Sequence, residues 1–512
     1  MVDYFFTEEH HIFRQGLKDF LQKEVAPHID QWEEELRTPK EIWKKFGDMG
    51  YMGLNYPESL GGVGGDFWYS VVFCEELSKM WSGGFAINPI VTQYMSTPYI
   101  FKHGSDFLKE KYLSPTIRGE MVASIGITEP GAGSDVQNIQ TKAIREGDFY
   151  IVNGQKTFIT SGVYGDFIVA VVKTDPTKGF EGVSLLVIER NAPGVSAKKL
   201  KKLGWHSSDT AELFFDNVKV PAENLIGEEG QGFIYLMGGL QLERVTGAVS
   251  AIAGCENAMQ YTLQYMSERN AFGRSLDKFQ VLRHRMAQLA SEIECTKQFV
   301  YHCCRLHNDG HYAVKESSMA KLLATELSDK VAYQCLQNFG GYGFMEEYKM
   351  ARMFRDSRVL TIGAGSSEIM REIISKIIID EKQYKNKGLT FDYKKSEKST
   401  NINPSFNNQQ KNNNMAFDVI LEKFTALASS APALNKTLKF DLGEGKIYID
   451  GMGETNVIST EDKDADCLII VSTDNLMSLM DRSLNPMAAF MTGKIKVKGD
   501  MSVAMKLQSL FA

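Results

Sequence analysis

SIGITEPGAGSDVQNIQTKA, residues 124 to 143, is followed a few residues later by YIVNGQKTFITSG, residues 150 to 162. Short runs of β-branched and aromatic residues broken by Gly, Pro, Asn and Asp are the punctuation of strands and turns, not of helices. The same period continues through DFIVAVVKT, VSLLVIE and AELFFDNVKV, so residues 120–232 read as a small β domain or barrel, with turns at Asn153-Gly154 and Asp175-Pro176. Gly131-Ala-Gly-Ser134, taken alone, is a tight turn. It is equally a place where bare backbone N–H groups and a hydroxyl can approach a flat cofactor or a phosphate.

Helical patterns flank this block. In HHIFRQGLKDFLQKEVAPHI the apolar residues Ile12, Phe13, Leu17, Phe20, Leu21 and Val25 recur at helical spacing, and YPESLGGVGGDF interrupts the pattern as a loop, giving a helical region over 1–119. Over 233–384 three long runs follow: LERVTGAVSAIAGCENAMQYTLQYMSERNAF, VLRHRMAQLASEIECTKQFVYHCCRLHN and VKESSMAKLLATELSDKVAYQCLQNFG. Their length and short polar connections predict a four-helix bundle. Residues 385–415 are Lys/Asn/Ser-rich, with seven Asn in NINPSFNNQQKNNN, a composition that buries no core and predicts a linker. Beyond it, 416–512 regain a hairpin pattern in LKFDLGEGKIYIDG, strands in DCLIIVS and GKIKVKG, and a short amphipathic helix in MSVAMKLQSLF. The fold class is thus multidomain α and β, with a separate α+β tail domain.

Of the 512 residues, 43% are hydrophobic and 24% charged, the profile of a folded chain. The 57 basic against 64 acidic side chains leave a mild negative charge, the wrong sign for binding nucleic acid through phosphates. No apolar run reaches the ~20 residues of a membrane span. The seven cysteines form no C-x-x-C or Cys/His cluster, so neither a disulfide frame nor a metal site is indicated, and the chain reads as cytoplasmic. G-x-G-x-x-G, the P-loop, G-x-S-x-G and H-E-x-x-H are absent, which removes Rossmann, ATPase, α/β-hydrolase and zincin readings.

The opening segment, together with ERNAFGRSLDKFQ (Glu268 to Gln280) and QNFGGYGFMEEYKMARMFRDSRVLTIGAGSSEIMRE (Gln337 to Glu372), resembles the flavin-binding signatures of the acyl-CoA dehydrogenase family, in order and separation, across about residues 5 to 380. The resemblance implies an all-α N-domain, a β-barrel middle domain and a four-helix-bundle C-domain, with FAD as cofactor. It places Ile125, Ile127, Thr128, Gly133 and Ser134 at the isoalloxazine and the pantetheine end of CoA, and Phe158 and Thr160 over the flavin face. Arg269, Phe272, Gln280, Gln337 and the Gly340-Gly341 pair match contacts to the FAD of a neighbouring subunit, which implies a homotetramer. Ser366 and Glu368 match positions near FAD.

The implied reaction removes the α-proton of an acyl-CoA thioester while the β-hydrogen leaves as hydride, giving a trans-2-enoyl-CoA and passing electrons to an electron-transfer flavoprotein. It needs a carboxylate whose pKa is raised in a dry site. Many relatives carry it directly before the Gly of the last motif, where this chain has Ala364. LMGGLQLERV instead places Glu243 on the first bundle helix, matching the isovaleryl and long-chain branch, so Glu243 is the expected base. Ser134, Gln241, Arg244, Ala364 and Gly365 would hold the thioester, with the Ala364 N–H polarising its carbonyl. His206 and Ser207 stand where relatives often show Arg-Gly, and Ile234 where isovaleryl-type enzymes have Tyr. The tail resembles the sterol carrier protein type 2 family in FMTGKIKVKGDMSVAMKLQSL, implying an apolar tunnel for a lipid or acyl-CoA. Met452, Met477, Met480, Met487, Met491, Met501 and Met505 suit its lining. The rivals are an O₂-using acyl-CoA oxidase or flavin monooxygenase of the same fold, and a non-catalytic lipid-binding protein.

Overall fold

The structure, a computed structural model, describes residues 5–379 and, beyond them, 421, 423–425, 433–443, 445–453, 455–481 and 495–499. The expected linker 385–415, the end of the expected bundle region, the expected terminal helix and Met487, Met491, Met501 and Met505 lie outside the described residues. The described residues fall into two compact units, of which the larger holds 17–52 and 66–379.

Helix α1 spans Glu8–Glu24 and gives way to a single 3-10 turn at Ala26–His28, where Pro27 has no N–H to continue it. Helix α2 is Glu41–Asp48. Helix α3, Phe67–Ser78, starts where the Asp66 side chain accepts from the Trp68 N–H at 2.9 Å. Residues 67 to 77 are all buried, so α3 is a core helix with no face open to solvent. Helix α4, Gly83–Ile90, is capped by Ser82 and runs into a π-helical stretch, Val91–Ser96, before α5, Thr97–His103. The wide turn has a local cause. Pro98 offers no N–H, and the hydroxyls of Ser96 and Thr97 bond the carbonyls of Val91 and Thr92 at 3.0 and 2.8 Å.

The middle region is an eight-stranded sheet of β1 (Ala123–Gly126), β2 (Lys142–Glu146), β3 (Phe149–Thr160), β4 (Phe167–Lys173), β5 (Val183–Glu189), β6 (Val195–Lys199), β7 (Thr210–Pro221) and β8 (Leu225–Ile226). The order is β6-β7-β3-β2-β4-β5-β8, with β1 parallel to β4. All of Phe167–Val172 is buried, as an uninterrupted apolar run requires of a central strand. The expected turn at Asn153-Gly154 is not a turn. Both residues lie inside β3, where β7 sets two residues, Asp216 and Asn217, against the single Asn153. Asn217 takes a left-handed φ of 49°, and its N–H bonds the Asn153 side chain at 2.9 Å. The Asn-Gly pair reads as a turn from composition, but here a bulge consumes it.

The bundle consists of α6 (Gly232–Glu268), α7 (Gln280–Asn308), α8 (Val314–Phe339), α9 (Lys349–Ser357) and α10 (Ser367–Ile378). The first helical run stops four residues short of Phe272. A hairpin of β9 (Asn270–Ala271) and β10 (Arg274–Ser275) replaces its end, turning on Phe272 and Gly273, both at positive φ.

The C-terminal strands β11 (Thr437–Asp441), β12 (Lys446–Asp450), β13 (Val457–Ser459), β14 (Cys467–Val471) and β15 (Ile495–Gly499) form a five-stranded sheet in the order β13-β12-β11-β14-β15. β11 and β12 are the hairpin expected from LKFDLGEGKIYIDG. Helix α11, Thr473–Met480, covers a core of Phe424, Leu438, Phe440, Ile447, Ile449 and Ile469. Met477 and Met480 pack against that core, whereas Met452 is exposed.

Candidate active site

Glu243 lies about three turns into α6, 4% exposed. Burial pushes its carboxyl up to about 7, against the opposing pull of a hydrogen bond from Tyr99 and the charge of Arg244. The Tyr99 hydroxyl, arriving on α5, donates to Glu243 Oε1 at 3.2 Å and is itself held far above the usual tyrosine range by burial and by that carboxylate. Gly239, one turn before Glu243, makes the approach possible, because a Cβ there would sit 2.2 Å from the Tyr99 oxygen. One turn further out, His103 stacks on Tyr235 with ring centroids 3.9 Å apart. The result is a dry carboxylate that ionises near neutrality, the property a base for a weakly acidic C–H must have.

The floor beside it is polar and tightly bonded. Arg244 Nη1 donates to Gln241 Oε1 at 2.9 Å, and Gln241 Nε2 donates to the Met237 carbonyl and the Tyr312 hydroxyl at 2.8 and 3.1 Å. Lys321, 2% exposed on α8, donates to the Gly365 carbonyl at 2.6 Å. Burial and then the Arg244 charge lower its ammonium to about 8. Lys321 thereby pins the loop of Ala364, Gly365 and Ser366. Ala364 and Gly365 both take positive φ, 52° and 91°, and the Ser366 hydroxyl caps α10 by accepting from the Ile369 N–H. Ala364 is exposed at the loop's apex, and Glu368 is exposed in the first turn of α10.

On the sheet, Ile125 sits in β1, and Ile127 and Thr128 just beyond it beside β3, where the Thr157 N–H bonds the Thr128 carbonyl at 2.8 Å. Between the pairs Lys156–Leu213 and Ile159–Ala211, β3 carries one residue more than β7. That bulge throws Phe158 outward at φ 61°, leaving it 68% exposed. A bulky residue held left-handed and in the open costs on the order of 1–3 kcal/mol, a strain that collects at ligand sites. Beneath the bulge, Lys156 Nζ meets Glu129 Oε1 at 2.7 Å, with Lys156 entirely buried and Glu129 5% exposed. Burial lowers the Lys156 ammonium to about 8, with Glu129 opposing. Burial works to raise Glu129, but the Lys156 charge and the N–H groups of Thr141 and Gln140 outweigh it. Lys156 also donates to the Ile127 carbonyl at 3.1 Å, so one ion pair anchors both the Ile127–Ser134 segment and the Phe158 bulge. Gly133 and Ser134 are exposed, and a Cβ at Gly131 or Gly133 would meet open space.

A second group gathers where α6 ends. Arg269 lies over the Tyr342 ring at 5.5 Å, and a cleft of about 330 Å³ is lined by Tyr261, Tyr265, Glu268, Arg269, Tyr342 and Tyr348. Phe272 at the hairpin tip is 96% exposed. Gln280, Gln337, Gly340 and Gly341 are exposed as well, with Gly340 ending α8 at φ 58°.

Three family models match this architecture in chain order: the acyl-CoA dehydrogenase N-terminal domain over residues 7–120, the middle domain over 124–218 and the C-terminal domain over 230–379. The chain belongs to the acyl-CoA dehydrogenase family. Residues 417–512 match the SCP-2 sterol transfer family, so the carrier-like domain is part of the same chain. The mitochondrial long-chain specific acyl-CoA dehydrogenase of Mus musculus is 39% identical over 73% of this chain and 88% of its own length. The caffeyl-CoA reductase-Etf complex subunit CarC of Acetobacterium woodii is 35% identical over 73% of this chain and 99% of its own. An acyl-CoA dehydrogenase structure from Geobacillus kaustophilus superposes with a TM-score of 0.71 at 44% identity, covering 74% of this chain and all of that one.

Membership makes the chain an oxidoreductase of the acyl-CoA dehydrogenase class. Among the described residues no helix is long and apolar enough to cross a membrane, and no group of His, Cys, Asp and Glu could hold a metal ion. Ser207, at one of the positions expected to depart from relatives, is fully buried. Its hydroxyl lies 2.8 Å from that of Ser82, and its carbonyl accepts from Thr38. Sequence reasoning missed Tyr99, Lys321 and the Glu129–Lys156 pair. One signal for Tyr99 was present: Gly238-Gly239 inside a helical run weakens the helix and marks a close approach.

Proposed function

We propose that this chain desaturates an acyl-CoA thioester between Cα and Cβ, with Glu243 as the base that takes the α-proton. The observation that carries the reading is the buried Glu243 carboxyl, raised to about 7 and oriented by Tyr99 at 3.2 Å. The residues present fit FAD: the left-handed, exposed Phe158 offers an aromatic face, and the Gly131–Ser134 turn leaves open space before its backbone. Ile125, Ile127, Thr128, Gly133, Ser134, Phe158 and Thr160 would hold it, with Ser366 and Glu368 nearby. When bound, FAD supplies the two-electron acceptor for the β-hydrogen.

Glu243, raised to about 7, is half ionised near neutral pH and ionised above it, and the dry surroundings strengthen its pull on the substrate proton. The Ala364 N–H, in the loop fixed by Lys321, polarises the thioester carbonyl and so acidifies the α-carbon. Ser134 holds the thioester chain. Gln241 and Arg244, bonded to each other, complete the floor beside the base.

Arg269 lies 26 residues beyond Glu243, about 39 Å along α6 at 1.5 Å per residue, too far for both to serve one flavin nucleotide. This supports a homotetramer in which Arg269, Phe272, Gln280, Gln337, Gly340 and Gly341 serve a neighbouring subunit's FAD. The Etf complex relative supports an electron-transfer flavoprotein as acceptor, and the long-chain relative supports a fatty acyl substrate. The tethered SCP-2 domain would bind a lipid or acyl-CoA and raise its concentration near the site. Buried thiols at Cys74, Cys255, Cys303, Cys304 and Cys335 support a reducing compartment, read here as the cytoplasm.

The test is anaerobic mixing of the full-length protein with straight, branched and steroid-chain acyl-CoAs, followed by bleaching of bound flavin. Bleaching by some of them, lost in Glu243→Gln, is expected. Undiminished bleaching in that variant would remove Glu243 as base. Rapid reoxidation by O₂, but not by the electron-transfer flavoprotein, would favour the oxidase.

A further inference from the structure

We propose that Tyr99 is a positioning residue that fixes the orientation and the proton affinity of Glu243. The proposal rests on the assignment of Glu243 as base and adds a second residue, contributed by a different domain. The sequence separation of 144 residues means the contact exists only when the N-terminal helices are docked on the bundle.

Four features of the packing single out the contact. Tyr99 and Glu243 are 3% and 4% exposed, so the hydrogen bond is made without competition from water. Gly239 leaves the space the phenol occupies, since any side chain there would overlap the Tyr99 oxygen at 2.2 Å and ring carbons at 2.6 and 2.7 Å. The π-helical stretch Val91–Ser96, immediately before α5, sets the rotation of that helix and thus the face on which Tyr99 emerges. The His103–Tyr235 stack then locks the same two helices together one turn away.

A phenol can only donate to a carboxylate. The bond therefore favours the ionised form and holds one oxygen, leaving the other to meet the substrate proton. The charged and titratable groups bearing on Glu243 are few. Tyr99 acts from α5 and Arg244 from its own helix. Tyr312, from the segment before α8, acts on Tyr99, and Lys321, from α8, feels the charge of Arg244. His103 is lowered to about 4 by burial and then by Lys102, so it is neutral wherever Glu243 titrates.

The experiment uses the full-length, FAD-loaded protein and two readouts. Infrared difference spectra follow protonation of the Glu243 carboxyl directly, the band being assigned by its loss in Glu243→Gln. The pH dependence of anaerobic flavin bleaching reports the same group in turnover. In Tyr99→Phe, which keeps the ring, the infrared midpoint should rise by about one pH unit, the worth of a hydrogen bond to a charged group. Bleaching below the midpoint should then fall about tenfold, while the rate well above it changes little. Gly239→Ala, a change that favours the helix itself, should reproduce the upward shift by displacing the phenol. Unchanged midpoints in the two variants would overturn the proposal. If Glu243→Gln still bleaches, the assignment of the base falls, yet the infrared midpoint still decides whether Tyr99 sets the proton affinity of Glu243.

Discussion

Burying a carboxyl to serve as the proposed base is a liability for folding, and its cost is open to measurement. The Glu243 carboxyl stands at about 7 in the folded chain against an ordinary glutamate value of 4.5, because burial penalises its charge. At about 1.4 kcal/mol per pH unit, that gap corresponds to roughly 3 kcal/mol. The folded state binds this proton more tightly than the unfolded state. Its contribution to stability is therefore fully present below about pH 4.5 and is lost as pH rises through about 7. Above that, the folded protein carries a buried charge that the unfolded one exposes to water. Glu243→Gln removes the charge while its amide oxygen can still accept from Tyr99. The variant should consequently gain several degrees in Tm at about pH 8 and gain nothing at about pH 4, both measured by calorimetry at matched scan rates on protein of equal flavin content. A variant equal to or less stable than the parent at the higher pH would refute the reasoning, since Glu243 would then be adequately solvated or compensated and would have no elevated proton affinity to use.

Two further substitutions address the supports of the site. Lys156→Met strands the buried Glu129 carboxylate, and breaking such a pair costs about 3–5 kcal/mol. Urea unfolding should show that loss, with much of it recovered in the double variant that also carries Glu129→Gln, and flavin content should fall because Ile127 and Phe158 lose their common anchor. Gly365→Ala forces a side chain onto a φ of 91° and brings its Cβ to 2.6 Å from the Met370 methyl. The loop held by Lys321 shifts, and the rate of flavin bleaching should drop about tenfold with little change in acyl-CoA affinity; loss of affinity with an unchanged rate would place the loop in binding alone.

The β region was legible because its signals are local. Alternation and turn residues within a dozen positions predicted the strands, and where Asn153-Gly154 misled, the cause was long-range: a two-residue bulge on β7 absorbed the pair into β3. The helices were legible by period, yet the end of α6 was not, since SERNAF carries no breaker and its termination depends on the hairpin through Phe272 and Gly273. Among the candidate residues, those lying inside contiguous motifs are proposed from the resemblance. Tyr99 and Lys321 could not, for each acts across a domain or helix boundary on a residue far away in sequence, and neither side chain looks unusual in its own segment.

The same distinction bears on Glu243 and Ala364. The two positions are 121 residues apart in sequence, and Lys321 links their surroundings, bonding the Gly365 carbonyl while feeling the charge of Arg244, the neighbour of Glu243. A carboxylate at either position would need the same dry setting, but their environments here are unequal: Ala364 is exposed on a left-handed loop, whereas Glu243 is buried on a rigid helix and already supplied with a donor. Placing the acid on the helix removes the need for a charged group on the strained loop. The loop then keeps only a small side chain in an exposed position, as the proposed backbone donor to a thioester oxygen would require. The proposed division of labour follows from the two environments, with the acid where burial can raise its proton affinity and the bare backbone where close approach matters most.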